Sequence, residues 1–286
     1  MSGVQAEALG RDALAGLVER YLDALVAHDA SRLPAAPGVR FTENGQPLPL
    51  GSGRWATVSG RQPGGQVFVD PQAGQVAFWG AVTEAGEPII FSVRLGTEAG
   101  LVSEVETLIV RPGGLLFDPG TVCAPRPAFH EVVAPAERSS REEMIRAANL
   151  YFDGIERDDG DIVPLADGCV RIENGVQTTG NAPSAELDAQ APWRTMGIAA
   201  QLNAGHFQYI EAIRDRRFPV LDEERGLVVC HAVFDHPGNI ETVDGRIPFG
   251  YPTSVMIAEV FKVKGGLIHH VEAVGTVFPY GIATGW

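Results

Sequence analysis

The chain has 286 residues, 45% of them hydrophobic and 20% charged, which suits one large or two ordinary globular domains and excludes global disorder. Lys and Arg number 22 against 36 Asp and Glu, a formal net charge of -14, so phosphate backbones and anionic lipid are poor partners. No stretch approaches the roughly 20 apolar residues of a bilayer span, and the start, MSGVQAEALGRDALAGLVERYLDAL, lacks the cationic and apolar blocks of a secretory signal. Cys123, Cys169 and Cys230 are sparse and odd in number, with no CxxC, which indicates neither a disulfide framework nor a zinc site. These features predict a cytoplasmic protein with reduced thiols, no nucleic-acid or membrane partner and no metal.

Along the chain, Leu14, Leu17, Val18, Tyr21, Leu22, Leu25 and Val26 recur at the 3–4 spacing of one helix face. A short irregular stretch follows, then the β-rich runs QVAFWGAV, EPIIFSVRL and LVSEVETLIV. Residues 112–138 carry Pro112, Pro119, Pro125, Pro127 and Pro135 and read as an ordered or semi-rigid linker. A second helix opens at Ser140 with Glu143 three residues on, a capping-box spacing. It carries Met144, Ala148, Tyr151, Phe152 and Ile155 on one face. The strands GLVVCHAVF, TSVMIAEVFKV and GLIHHVEAVGTVF complete the chain, with Lys264-Gly265-Gly266 as a hairpin turn.

The two halves repeat one pattern. RYLDALVAHDA aligns with LYFDGIERDDG, VRFTENG with VRIENG across one gap, VDPQAGQVAFWGAV with LDEERGLVVCHAVF, and GLVSEVETL with GLIHHVEAV. Four matches in the same order indicate a duplication with a period of domain size, longer than a solenoid repeat. The second half is longer, between Gly180 and Arg214 and between Asp235 and Pro252. Helix first and antiparallel meander after indicates α+β, with a curved sheet wrapped by helices.

On these residues, RYLDAL/LYFDGI, VRFTENG/VRIENG and the closing hairpins ending EVETL and HHVEAV, each half resembles the nuclear transport factor 2-like, or SnoaL-like, α+β cone. The second half, with PYGIATGW at its end, resembles a tandem-repeat branch of that superfamily. The resemblance covers about residues 10–111 and 140–286. With the proline-rich linker at 112–138 it implies an N-terminal cone at 10–111 and a C-terminal cone at 139–286, and the distribution of chemistry-bearing residues puts the expected active site in the second. Members include polyketide cyclases, ketosteroid isomerases, dehydratases, cofactor-free lyases of lignin-derived diarylpropanes and non-enzymatic binding modules. The ketosteroid-isomerase carboxylic-acid pair has no residue-by-residue match here. Function therefore has to be argued from the site.

The chemistry-bearing residues concentrate in the second half. Five of seven histidines, His206, His231, His236, His269 and His270, lie between residues 200 and 275. With carboxylates to orient an imidazole and phenols to donate to an oxyanion, they form the parts of a cofactor-free acid–base site. Expected catalytic residues are His231 or His270 as base, Glu259 as partner or acid, and Tyr151 or Tyr209 at the oxyanion. Expected substrate-binding residues are Trp193, Arg194, His206, Tyr251 and Glu272. Core packing is the competing reading of His231 and Tyr151, and His236, before Pro237-Gly238, is given no role.

Strand alternation puts His231 with Val229 and Val233. It puts Glu259 with Val255, Ile257 and Phe261, and His270 and Glu272 with Ile268, opposite His269. Which face is concave stays open, as does a metal site if His206, His231 and Glu259 converge. The expected function is a cofactor-independent lyase acting on a small hydroxylated aromatic, by elimination or retro-aldol-type cleavage. The alternatives are an isomerase, cyclase or dehydratase of a polyketide- or steroid-like substrate, a metal-assisted hydrolase, or a binding module. The partner is a small-molecule substrate, and pseudo-dimeric chains of this kind can associate further as homo-oligomers.

Overall fold

The computed structural model describes residues 9–113, 115–242 and 248–286. The N-terminal residues 1–8 and part of the extra segment 235–252, residues 243–247, lie outside the described residues. The first half comprises α1 (Arg11–Val26), β1 (Ala35–Glu43), β2 (Gln46–Pro47), β3 (Val58–Arg61), β4 (Gln66–Asp70), β5 (Gln75–Glu84), β6 (Glu87–Glu98) and β7 (Leu101–Val110). Between the halves lie α2 (Pro119–Cys123) and α3 (Pro127–His130). The second half comprises α4 (Arg141–Arg157), β8 (Leu165–Glu173), β9 (Val176–Gln177), α5 (Ala185–Gln190), α6 (Ile198–Asn203), β10 (Ala212–Asp222), β11 (Leu227–His236), β12 (Thr253–Lys264) and β13 (Leu267–Pro279).

The architecture is α+β, with two sheets. Their strand orders are β2-β1-β7-β6-β5-β3, with β4 also on β5, and β10-β11-β12-β13-β8-β9. Each is mixed rather than purely antiparallel. The strand after the opening helix lies parallel to the last strand of the meander, β1 on β7 and β8 on β13. Asn44-Gly45 and Asn174-Gly175, all at positive φ, turn β1 and β8 back on themselves. That left-handed pair is what a two-residue hairpin requires. The side chain of each Asn then holds the backbone of the neighbouring long strand, at Ile109 N (2.8 Å) and Gly275 N (2.8 Å).

Each opening helix lays its apolar stripe into the hollow of its own sheet. Leu14, Leu17, Val18, Tyr21 and Leu25 join Val69, Val76, Phe91, Val93 and Val105 in one core. Met144, Ala148, Tyr151, Phe152 and Ile155 join Val228, Cys230, Ile257, Phe261 and Val271 in another. The Ser140–Glu143 capping box forms at the start of α4.

A third core joins the outer faces of the two sheets, with Phe68, Trp79, Ile90 and Leu108 against Val220, Val229, Val233, Ala258 and Val274. The linker is built into it: each of its short helices starts on or beside a proline, and they bury Val122 and Phe129. Both sheets are thus buried on both faces, and β11 and β12 are almost continuously buried.

Ion pairs are exchanged across this contact. Arg11, the first residue of α1, bonds Asp222 at the end of β10 (2.6 Å), and Arg141, the first residue of α4, bonds Asp70 at the end of β4 (2.6 Å). Asp70 also accepts the Leu221 amide at 3.0 Å. The two pairs use equivalent positions, each helix of one half reaching the other half's strand end.

One alternation argument fails. The β12–β13 register shifts between Lys262 and Val263, so His269 is bulged out. Ile268 therefore lies on the hollow face with Val271, while His270 and Glu272 lie on the outer face. The extra residue of a bulge reverses the parity that alternation assumes. The first half repeats the irregularity at Ser103.

Asp70→Ala removes the acceptor of the Leu221 amide and the carboxylate of Arg141, leaving Arg141 the Leu221 carbonyl at 3.1 Å. It should cost about 2–3 kcal/mol in urea unfolding, a buried charged acceptor being expensive to remove. A loss below about 0.5 kcal/mol, the range of ordinary surface substitutions, would show that the exchanged pairs do not hold the halves together.

Candidate active site

A cavity of about 140 Å³ opens into the hollow of the second sheet. Its floor is β12, where alternation points Val255, Ile257 and Glu259 the same way, so it runs about 13 Å between the outer Cα atoms. Tyr151 and Ile155 come from α4, Arg171, Glu173 and Asn174 from β8 and its turn, and Phe234 and His236 from β11. Phe207, Tyr209, Ile210 and Phe249 come from the extra segments, and Leu115 and Leu116 from the linker.

The register explains why this half is hollow there and the other is filled. Taking Glu106 and Glu272 as equivalent, Phe41 opposite Val105 corresponds to Arg171 opposite Val271. Val93 opposite Thr107 corresponds to Glu259 opposite Ala273. Phe91 opposite Ile109 corresponds to Ile257 opposite Gly275. The second half thus trades a ring for an aliphatic chain, removes a side chain at Gly275, and places two ionisable groups where the first has Phe and Val. In the first half Tyr21 packs edge-on to Trp55 (5.4 Å) and stacks on Phe91 (6.2 Å), occupying that volume. At Gly275 a Cβ would stand 2.8 Å from Ile257 Cγ2, so the glycine is needed for close approach.

Arg171 is the anchored cation of the cavity. Its Nε lies 2.6 Å from Glu173 and donates to Thr178 Oγ1 at 3.0 Å, while another guanidinium nitrogen donates to Gln201 Oε1 at 2.6 Å. A weaker bond reaches the Tyr151 hydroxyl at 3.5 Å, and the guanidinium lies 4.7 Å from the centre of the Phe207 ring. Gln201 is itself fixed by donating to the Thr178 and Trp193 carbonyls. The extra segment between Gly180 and Arg214 thus supplies the bracket that holds Arg171.

Glu259 is 3% exposed, and its Oε2 has no hydrogen-bond partner. Burial pushes its carboxyl up to about 8; Arg171 pulls it down and Glu173 pushes it up. Burial likewise raises the Tyr151 phenol, which stays protonated through the physiological range. His236 is pushed down to about 4 by burial, against the hydrogen bond to the Thr253 backbone and the Asp235 charge that favour protonation. Near neutrality the cavity holds a carboxylic acid, a phenol, a neutral imidazole and one paired arginine.

Of the expected site residues, Glu259, Tyr151 and Tyr209 line this cavity. His231 does not. It lies on the outer face with Val229 and Val233, its Nδ1 3.1 Å from Glu106 between the two sheets. Burial pushes the imidazole down, and Glu106 only partly restores it. Burial alone would raise Glu106, but the His231 contact, Arg94 and Arg217 outweigh it and hold the carboxyl well below the usual range. His231 and Glu259 are on opposite faces of the sheet, so they cannot share a metal with His206; among the described residues no group of three or more His, Cys, Asp or Glu could hold one.

His270 also faces outward, edge-on to Phe129 of the linker (5.2 Å) and 3.5 Å from Glu272, whose main partner is Arg126 at 3.0 Å. Trp193 packs at a tilt on His206 (4.4 Å) and Arg194 lies over the Trp193 ring (5.3 Å), and none of the three lines the cavity. Tyr251 is 66% exposed, on the chain leading into β12.

Sequence reasoning missed Arg171, Glu173, Asn174, His236 and Phe249. A signal for the first existed. Aligning the ENG turns rather than the VR pairs matches Arg171 to Phe41 and not to Arg40, revealing a charge where the other copy is apolar.

A family model described as a domain of unknown function (DUF8021) matches residues 137–275. No curated protein matches the chain. Among solved structures, a protein assigned as a SnoaL-like polyketide cyclase from Jannaschia sp. CCS1 is 16% identical, with TM-score 0.33, over 51% of this chain and 90% of that one. One assigned as a polyketide cyclase from Xanthomonas campestris pv. campestris is 18% identical, with TM-score 0.32, over 48% and 92%. The BvnE pinacolase of Penicillium brevicompactum is 17% identical, with TM-score 0.29, over 47% and 84%. At these scores the architecture of the present chain rests on its own strand order.

Glu259 links stability to pH with a definite sign. Its folded value, about 8, lies above the ordinary 4.5, so the native state holds the proton more tightly than the unfolded chain. The contribution is full below about 4.5 and is lost as pH rises through about 8. Glu259→Gln should therefore gain stability relative to the parent between pH 5 and pH 9 in urea unfolding. A difference constant across that range would show that Glu259 ionises as an ordinary surface carboxylate.

Proposed function

We propose that the cavity of the second sheet is the active site of a cofactor-independent enzyme that moves protons on a small, largely apolar, hydroxylated substrate. The observation that carries this is the buried Glu259 carboxyl, its Oε2 without a hydrogen-bond partner, in one cavity with Arg171 and Tyr151. An uncompensated buried carboxyl costs stability, and a group titrating near 8 suits proton transfer at neutral pH. Two tandem cones, only the second equipped for chemistry, are the organisation this reading implies.

The reaction class favoured is C–O or C–C lysis. In the retro-aldol form Glu259, as carboxylate, takes the hydroxyl proton of a β-hydroxy ketone. The C–C bond breaks, its electron pair passes to the carbonyl oxygen, and one aldehyde leaves. Arg171 and the Tyr151 phenol donate to the resulting enolate oxygen, and the proton returns to carbon. In the elimination form the same carboxyl protonates a departing benzylic hydroxyl and the carboxylate then accepts the proton of a terminal hydroxymethyl group. A 1,2-diarylpropane-1,3-diol would so yield a stilbene, water and formaldehyde. An engineered apolar cavity of about 150 Å³ holds one benzene ring, so the enclosed space of about 140 Å³ takes one aryl ring of such a substrate.

The test is turnover of aryl β-hydroxy ketones and 1,2-diarylpropane-1,3-diols, following released aldehyde. Glu259→Gln should lower kcat by roughly 10²–10⁴. On the β-hydroxy ketones the parent rate should climb with pH and level off above about 8. His231→Gln should weaken the fold yet leave kcat within about threefold, since it contacts no substrate. Normal turnover by Glu259→Gln, or a collapse confined to His231→Gln, would overturn the assignment. Product of unchanged mass would select the isomerase or cyclase alternative, and ligand binding without turnover a binding module.

A further inference from the structure

The proton-transfer reading accounts for only one end of the cavity. Glu259 pairs across the sheet with Cys230, and His236 stands six residues further along β11, about 20 Å away between Cα atoms along an extended strand. Between them run Ile257, Val255 and Phe234, all apolar and all lining the cavity. The far end has its own chemistry. The His236 ring stacks at 5.5 Å on Tyr209, nearly parallel, and lies 4.3 Å from Phe249. It is 3% exposed, and its Nδ1 has no hydrogen-bond partner.

His236 is bonded to the Thr253 backbone, its Nδ1 has no hydrogen-bond partner, and a neutral imidazole with its proton on Nε2 presents Nδ1 as an acceptor. An unsatisfied buried acceptor among aromatic rings is costly and is relieved by a donor from a ligand or a water. The two flat rings beside it, Tyr209 and Phe249, favour an aromatic group carrying that donor.

We propose that this end of the cavity is a second substrate subsite, in which the mutually packed rings of Tyr209, Phe249 and His236 form a wall for an aromatic ring and His236 Nδ1 accepts a hydrogen bond from that ring's hydroxyl. The subsite rests on the proton-transfer reading for the position of the reacting end at Glu259. It makes the substrate elongated: a phenol joined by a short apolar chain to the oxygen-bearing carbon that reacts. His236 is then a specificity-determining residue, and the reacting bond lies too far along the floor for it to be catalytic.

The probes are 4-(4-hydroxyphenyl)butan-2-one, which has the ketone and the phenol but no cleavable β-hydroxyl, and its 4-methoxy ether, which lacks only the donor. Calorimetric titration of the wild-type protein should give about tenfold tighter binding of the phenol. His236→Phe, which keeps a flat ring and removes the acceptor, should abolish that preference. Glu259→Gln should keep it.

Equal affinity of the two probes for the wild-type protein overturns the subsite without any variant being needed, as does a preference that survives in His236→Phe. Either result leaves Glu259 to be judged by turnover and its pH profile alone. A preference lost in Glu259→Gln but kept in His236→Phe would place the phenol at the inner end and also overturn the subsite. Loss of turnover in Glu259→Gln with the phenol preference intact would support both proposals, and unchanged turnover with that preference intact would remove only the proton-transfer reading.

Discussion

The outer faces of the two sheets are buried against each other, and most of the molecule follows from that contact. A sheet covered by its own helix on one side and by another sheet on the other has no wet face. Every ionisable group that points outward from either sheet into this contact must find a partner there. Arg94, Glu106, Arg217 and His231 do so together, Arg126 pairs with Glu272, and Arg11 and Arg141 cross to Asp222 and Asp70. These groups are structural because the contact surrounds them, and the hollow faces are left as the places where a small molecule can enter.

The two hollows differ by a handful of side chains. In the first, Phe41, Phe91 and Val93 meet Tyr21 and Trp55 and close the space. In the second, Arg171, Ile257, Glu259 and Gly275 stand at the matching register and leave it open. A similar strand plan thus serves as a packed core in the first half and a polar-ended cavity in the second. The longer second half bears on the same difference, because Gln201 brackets Arg171 and Tyr209 and Phe249 wall the outer end.

Much of this was legible beforehand. Helix periodicity located α1 and α4, Ser140 with Glu143 marked a start, and Lys264-Gly265-Gly266 marked the hairpin between β12 and β13. The parity of SVMIAEVF correctly grouped Glu259 with Val255 and Ile257. The histidines were misleading for a physical reason. In a strand such as LVVCHAVF, buried on both faces, hydrophobicity carries no alternation, so nothing local says that His231 points away from the helix. Nor does local sequence announce a bulge: His269 reverses the parity of β13 through a register shift visible only against β12. The role of Arg171 was hidden by the likeness of two VR pairs that the pairing register sets one residue apart.

The account turns on Glu259 being a buried carboxylic acid at neutral pH inside the cavity of the second sheet. Carbon-13 NMR titration of the Glu side-chain carboxyls, with Glu259→Gln to identify the resonance, measures this directly. The predicted result is one carboxyl that titrates near 8 and vanishes in the variant. A spectrum in which the Glu259 carboxyl titrates with the others, near the ordinary 4.5, would contradict the account.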